Sequence, residues 1–194
     1  MIEEEKIKIL YDHYKDSFSL INDREKKRER LLIFLIIVIS FQFLQVFFSS
    51  QSLSAFNTVI EKQINFSFAF NANIFSILLW FLLFILSLRY FQTNILVSRQ
   101  YKYIHILEEK LCEKIGEEDF IKRERFGYKN DSSVFTDWVH LVYTWIFPIL
   151  LISVALLRIS LENISIWTLA IDFAFFIAIC TTTILYLEKI HQKS

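Results

Sequence analysis

At 194 residues, 54% of them hydrophobic and 17% aromatic, with a formal net charge of zero, the chain is more apolar than an ordinary globular domain, where the share is about 45–50%. Its two glycines, Gly116 and Gly127, and its one proline, Pro148, are too few for the turns of a β-sandwich or barrel. Helices are then left as the spanning element, since they satisfy every backbone hydrogen bond within one segment, and the composition predicts an all-α membrane protein.

Residues 1–30 mix acids and bases, and Ile7, Leu10, Tyr14, Phe18 and Ile21 recur at steps of three and four, the spacing of one helix face. No small-residue cleavage site follows the first apolar run, so that run reads as a span and not as a cleaved signal peptide. With no Pro or Gly up to Ser49, the amphipathic helix is expected to continue directly into span 1, Leu31 to Ser49. Gln42, Gln45 and Ser49 share one face of it. Residues 31–90 hold spans 1 and 2 and an outer loop; span 2 runs from Ile74 to Tyr90, and "INFSFAFNA" before it can lengthen its buried part. Asn73, Ser76, Trp80, Ser87 and Asn94 line up along this second span.

In residues 91–137 a second stripe, Val97, Tyr101, Ile104, Leu107, Leu111 and Ile115, ends at Gly116, a common helix stop. One extension climbs to the membrane and the other descends from it, so the stripes can pair as an antiparallel hairpin within the chain. The alternatives are pairing between subunits and docking of a soluble partner. The charged segment "EEDFIKRERFGYKND" reads as a loop or short surface helix whose Lys122, Arg123, Arg125 and Lys129 rest on anionic lipid. Its acids dilute it as a nucleic-acid patch, and no direct nucleic-acid contact is expected. Asp131 or Ser132 is the candidate N-cap of span 3.

Residues 138–187 carry span 3, Trp138 to Leu157, and span 4, Ile164 to Leu187, each near the about 20 residues a bilayer requires; residues 188–194 form a tail. In span 3 Pro148 cannot donate to the carbonyl of Thr144, which permits a kink, and His140 and Thr144 lie together. Of the 21 Lys and Arg residues, eight precede span 1, nine lie from Arg89 to Lys129 and two follow span 4. Only Lys62 and Arg158 fall on the other side. The bias predicts cytoplasmic termini.

Asp172 is the exception within span 4, "SIWTLAIDFAFFIAICTTTILYL", where a carboxylate costs roughly 2.5–3.5 kcal/mol on insertion scales. Its face also carries Ser165, Thr168, Thr183 and Tyr186, interrupted by Phe176 and Ile179, and the nearly opposite face carries the small-residue ridge Ala170, Ala174 and Ala178. Asp172 lies ~12 Å and Gln42 ~10 Å from the outer ends of their spans. One reading has Asp172 bonding Gln42 or Gln45 to hold two spans together. The other has these groups lining a hydrated cation path, gated at Phe176 and Ile179.

No Walker loop, GxSxG elbow, HExxH or Rossmann fingerprint occurs, and the four histidines and two cysteines have no zinc-ligand spacing. No enzyme, metal or cofactor is implied. "RQYKYIH", Arg99 to His105, resembles the ribonuclease motif of HEPN domains, a pattern so loose that chance gives about 0.5 matches in a chain of this composition.

In size, four spans, cytoplasmic ends and charged helices the chain resembles the small four-span subunits of bacterial phage-defence loci, the membrane subunit of Kiwa systems and the membrane accessories of RNA-targeting CRISPR loci. "LYDHYKDSFSLINDREKKRERL" and "WIFPILL" read as its family motifs. The resemblance implies homo-oligomers, a cytoplasmic effector as partner and a response to membrane disturbance. The expectation is a four-transmembrane-helix bundle of a bacterial inner membrane, with cytoplasmic helical extensions of spans 1 and 2. It would contact lipid, self-associate and dock a cytoplasmic protein. The alternative is an ion-conducting pore through Asp172, Gln42 and Gln45, and a more remote one is a HEPN-like ribonuclease.

Overall fold

A computed structural model of the protein describes residues 3–64, 72–116, 138, 141–161 and 166–191. The elements among them are all helical: α1 (Glu3–Phe47), α2 (Ser49–Ile64), α3 (Ala72–Ile115), a π-helical turn (Val142–Ile146) leading into α4 (Phe147–Leu161), and α5 (Ile166–His191). Four of these stretches, in α1, in α3, from the π turn through α4, and in α5, are long and apolar enough to cross a membrane. The chain is a multi-pass membrane protein of the all-α class.

At 45 and 44 residues, α1 and α3 are each more than twice as long as a span needs to be. Neither contains Gly or Pro, so nothing in the backbone interrupts them. α3 stops where a glycine permits it: Gly116 adopts φ 77°, and its N–H donates to the Cys112 carbonyl at 3.0 Å, the left-handed cap that only a residue without Cβ takes freely. α1 ends less sharply. Phe48 still donates to the Leu44 carbonyl at 2.8 Å, and α2 begins one residue later, so a helix occupies much of the segment expected as an outer loop.

The chain divides into two compact units, Met1–Arg30 with Gln92–Leu141, and Leu31–Phe91 with Val142–Ser194. In the first, Tyr14 and Ile21 of α1 share a core with Ile104, Leu107 and Leu111 of α3, and Leu10, Phe18 and Tyr101 pack against it. Ile7 and Ile115 are half-buried and Val97 is buried. This is the within-chain pairing of the two stripes. The Tyr14 hydroxyl donates to Glu108 Oε1 at 3.0 Å, giving a carboxylate that is only 1% exposed a partner inside the apolar core.

The second unit is assembled from α1 to α5 around Leu35, Val38, Leu79, Leu83, Leu151, Val154 and Ile179. Phe84 meets Phe175 and, further along both helices, Phe91 stacks on Tyr186 with centroids 4.1 Å apart; α3 and α5 therefore run in the same sense. α4 runs against them, since Ser76 meets Arg158 and Tyr90 meets Phe147. Large apolar residues such as Ile33, Phe34, Phe81, Ile149, Phe173 and Ile184 point outward, as lipid-facing side chains do. Ser40, Ser153 and Ser160, also exposed, return their hydroxyls to carbonyls four residues back at 2.9 Å, which satisfies each polar group without a partner from outside the helix.

Pro148 falls in the first turn of α4, directly after the π turn. The proline lacks the N–H that would bond the Thr144 carbonyl, and a widened turn at that point is the usual accommodation. The basic segment with Lys122, Arg123, Arg125 and Lys129, the caps Asp131 and Ser132, and His140 all lie outside the described residues.

Replacing Tyr14 with Phe should remove the donor of buried Glu108 Oε1 and cost about 1–3 kcal/mol, read from the unfolding equilibrium of the purified protein. Tyr11→Phe, at a position 49% exposed, should change it little.

Candidate functional site: a buried polar cluster in the membrane unit

Arg158 is the residue that the charge count misplaced. It was expected beyond the end of span 3, on the side away from most of the basic residues. Instead α4 continues through Leu161, and Arg158 is 1% exposed within the bundle. The local sequence explains this: "LLRISL" is apolar on both sides of the arginine, so the helix has no reason to end before it. That flanking pattern is the signal that could have found it.

The guanidinium is held from two other helices, α1 and α3. Arg158 Nη2 donates to Gln45 Oε1 of α1 at 2.9 Å and to Ser76 Oγ of α3 at 2.5 Å. Its Cζ lies 5.5 Å from the ring centroid of Trp80, one turn along α3. One nitrogen thus ties α4 to α1 and α3, and the aromatic face adds a cation–π contact of about 0.5–2 kcal/mol. An arginine at the centre of a span costs roughly 2.5–3.5 kcal/mol on insertion scales, which bounds the cost for Arg158 near its helix end. Two charge-assisted hydrogen bonds, at about 1.5–3 kcal/mol each, offset that cost.

This geometry corrects the expected link between Asp172 and the glutamines. The Gln45 carbonyl oxygen is taken by Arg158. Among the described residues, both amide atoms of Gln42, a residue 1% exposed, have no hydrogen-bond partner, and the same holds for Trp80 Nε1. Asp172 is itself buried, at 2% exposure, so a carboxylate and a guanidinium are both enclosed in this unit, though neither glutamine acts as the bridge that was expected.

The remaining residues of the expected site separate. Thr183 is buried, but its hydroxyl donates to the Ile179 carbonyl at 2.8 Å, and it lies three turns from Asp172. Ile179 is buried and Phe176 half-buried, so the apolar interruption of the stripe is packed inside. The Thr168 side chain lies outside the described residues. Ala170 and Ala174 are exposed and Ala178 is half-buried, which leaves most of the small-residue ridge outside the bundle of a single chain. Thr144 and Pro148 are buried.

In the other unit, Arg99 is exposed. His105 turns to its own helix, with Nδ1 3.7 Å from Glu108 Oε2, and His13 Nε2 lies 2.7 Å from the Tyr103 hydroxyl. Among the described residues no three His, Cys, Asp or Glu side chains are grouped to hold a metal, and neither cysteine forms a disulfide.

No family model, curated protein or solved structure matches the chain.

Gln45→Leu should leave a buried guanidinium proton without its acceptor and cost about 1.5–3 kcal/mol. In an Arg158→Met background the same substitution should cost markedly less, because the two changes act on one contact; a mixed-detergent unfolding titration of the four variants reads the difference.

Proposed function

We propose that the protein is a non-enzymatic integral protein of a bacterial inner membrane, with both termini in the cytoplasm, that assembles with further copies of itself through its spans. Its paired helical extensions dock or regulate a cytoplasmic effector, in phage defence. The observation that carries the docking part is an apolar patch on the outside of the unit formed by Met1–Arg30 and Gln92–Leu141. There Ile9, Tyr103 and Ile106 are 56%, 44% and 48% exposed, on the helix faces joined by the His13–Tyr103 hydrogen bond. The stripes Tyr14–Ile21 and Ile104–Leu111 are already spent on one another. Apolar side chains remaining outside a charged, water-facing helix pair favour contact with another protein.

Self-association is supported by the ridge of Ala170 and Ala174, exposed on α5, where small residues allow a second helix to approach closely. The orientation rests on the distribution of Lys and Arg, 19 of 21 of them on one side of the sequence-based topology. A cation path through Gln45 would pass the fixed positive charge of Arg158, which repels cations, so the docking reading is favoured over a cation pore.

The mass of the detergent-solubilised complex tests the assembly: more than one copy per particle is expected. Ile106→Glu should release a co-purifying effector while leaving membrane insertion and self-association intact. A strict monomer with no partner would count against the whole reading.

A further inference from the structure

Two buried polar side chains in the membrane unit have polar atoms with no hydrogen-bond partner among the described residues. Gln42 offers two N–H donors and one carbonyl acceptor, Trp80 offers one N–H donor, and none of the buried atoms among them is hydrogen-bonded. Leaving such groups unmet in an apolar interior is expensive. The two residues share a level of the bundle. Gln45 and Ser76 meet on the same Arg158 nitrogen; α1 runs toward the end where α2 begins, and α3 returns from that end. One turn back from Gln45 is Gln42, and one turn on from Ser76 is Trp80.

The chemistry of the unmet atoms selects the ligand. A halide could accept from Trp80 Nε1 and Gln42 Nε2 but would leave Gln42 Oε1 without a donor. A metal cation could meet the oxygen but not the two N–H groups. Water both donates and accepts, and a buried water typically makes about three hydrogen bonds to groups of this kind. Polar side chains also lie between this level and the helix ends: Gln45, Ser76 and Arg158, all buried, are about 3–6 Å from the ends of their helices at about 1.5 Å per residue. Charged side chains within spans characteristically face a bundle interior or a hydrated cavity.

We infer that Gln42 and Trp80 bind water in a chamber inside the membrane bundle, reached from the helix ends past Arg158, Gln45 and Ser76. The chamber goes beyond the docking reading and does not depend on it. Farther from those ends along α1 and α3, Leu35 and Leu83 are fully buried and apolar.

Substituted-cysteine labelling in nanodiscs, which expose both faces of the membrane, tests it. In a Cys112→Ser/Cys180→Ser background, Gln42→Cys should react with an anionic, membrane-impermeant methanethiosulfonate roughly tenfold or more faster than Leu83→Cys, with exposed Gln51→Cys as the upper reference. A Gln42→Cys rate no faster than that of Leu83→Cys would overturn the chamber. If the cysteine variants do not fold, the native side chain gives the answer. The Trp80 indole N–H, assigned by its loss in Trp80→Phe, should exchange with deuterated water in the intact protein; full retention of its proton after the lipid-facing amides have been challenged would equally overturn it.

Discussion

A guanidinium cannot be left bare in hydrocarbon, and the membrane unit is arranged around meeting that demand at Arg158. Its Nη2 has two protons, and their acceptors come from two other helices, Gln45 on α1 and Ser76 on α3. Because each acceptor lies near a helix end, satisfying the arginine also sets the level at which α1, α3 and α4 meet. Trp80, one turn from Ser76, then covers the charge with its ring. Apolar packing alone would tolerate helices sliding by a turn; a buried donor with two fixed acceptors does not.

The two units are stabilised by different physics. In the unit of Met1–Arg30 and Gln92–Leu141, water surrounds the charged faces, and burying Ile21, Ile104, Leu107 and Leu111 is favoured by the hydrophobic effect. In the membrane unit many large apolar residues face outward, and several polar ones are enclosed with the apolar core: Gln42, Gln45, Ser76, Arg158 and Asp172 all lie inside. Lipid is as apolar as leucine, so association there depends on close packing and on internal hydrogen bonds. The Ser and Thr hydroxyls that return to their own helix carbonyls take little part in that association. Arg158, by contrast, makes two cross-helix hydrogen bonds, to Gln45 and Ser76.

The same contrast explains which parts of the candidate site were legible in the sequence. The stripes from Ile7 to Ile21 and from Val97 to Ile115 could be read because burial in water-facing helices follows a period of 3.6, and Gly116 could be read as a stop because its missing Cβ has a direct backbone consequence. The burial of Gln42, Gln45, Thr183 and Asp172 followed from polar residues sharing helix faces. Their partners did not follow. Depth arithmetic put Asp172 level with Gln42, yet depth says nothing of rotation about the helix axis, and rotation turned Gln45 toward Arg158.

Arg158 itself was obscured by a rule that is sound on average. Basic residues are excluded from spans because their charge is costly there, so an arginine near a span's end reads as its boundary. The sequence by itself determined the all-α class, the four apolar stretches, the two amphipathic extensions and the glycine stop, since each depends on chemistry local to one helix. Only the tertiary structure decided that Arg158 is inside, that Gln45 and Ser76 receive it, and that Gln42 and Trp80 are left at one level without hydrogen-bond partners among the described residues. Those facts depend on how faces of separate helices are turned toward each other, and no period within a single helix encodes that.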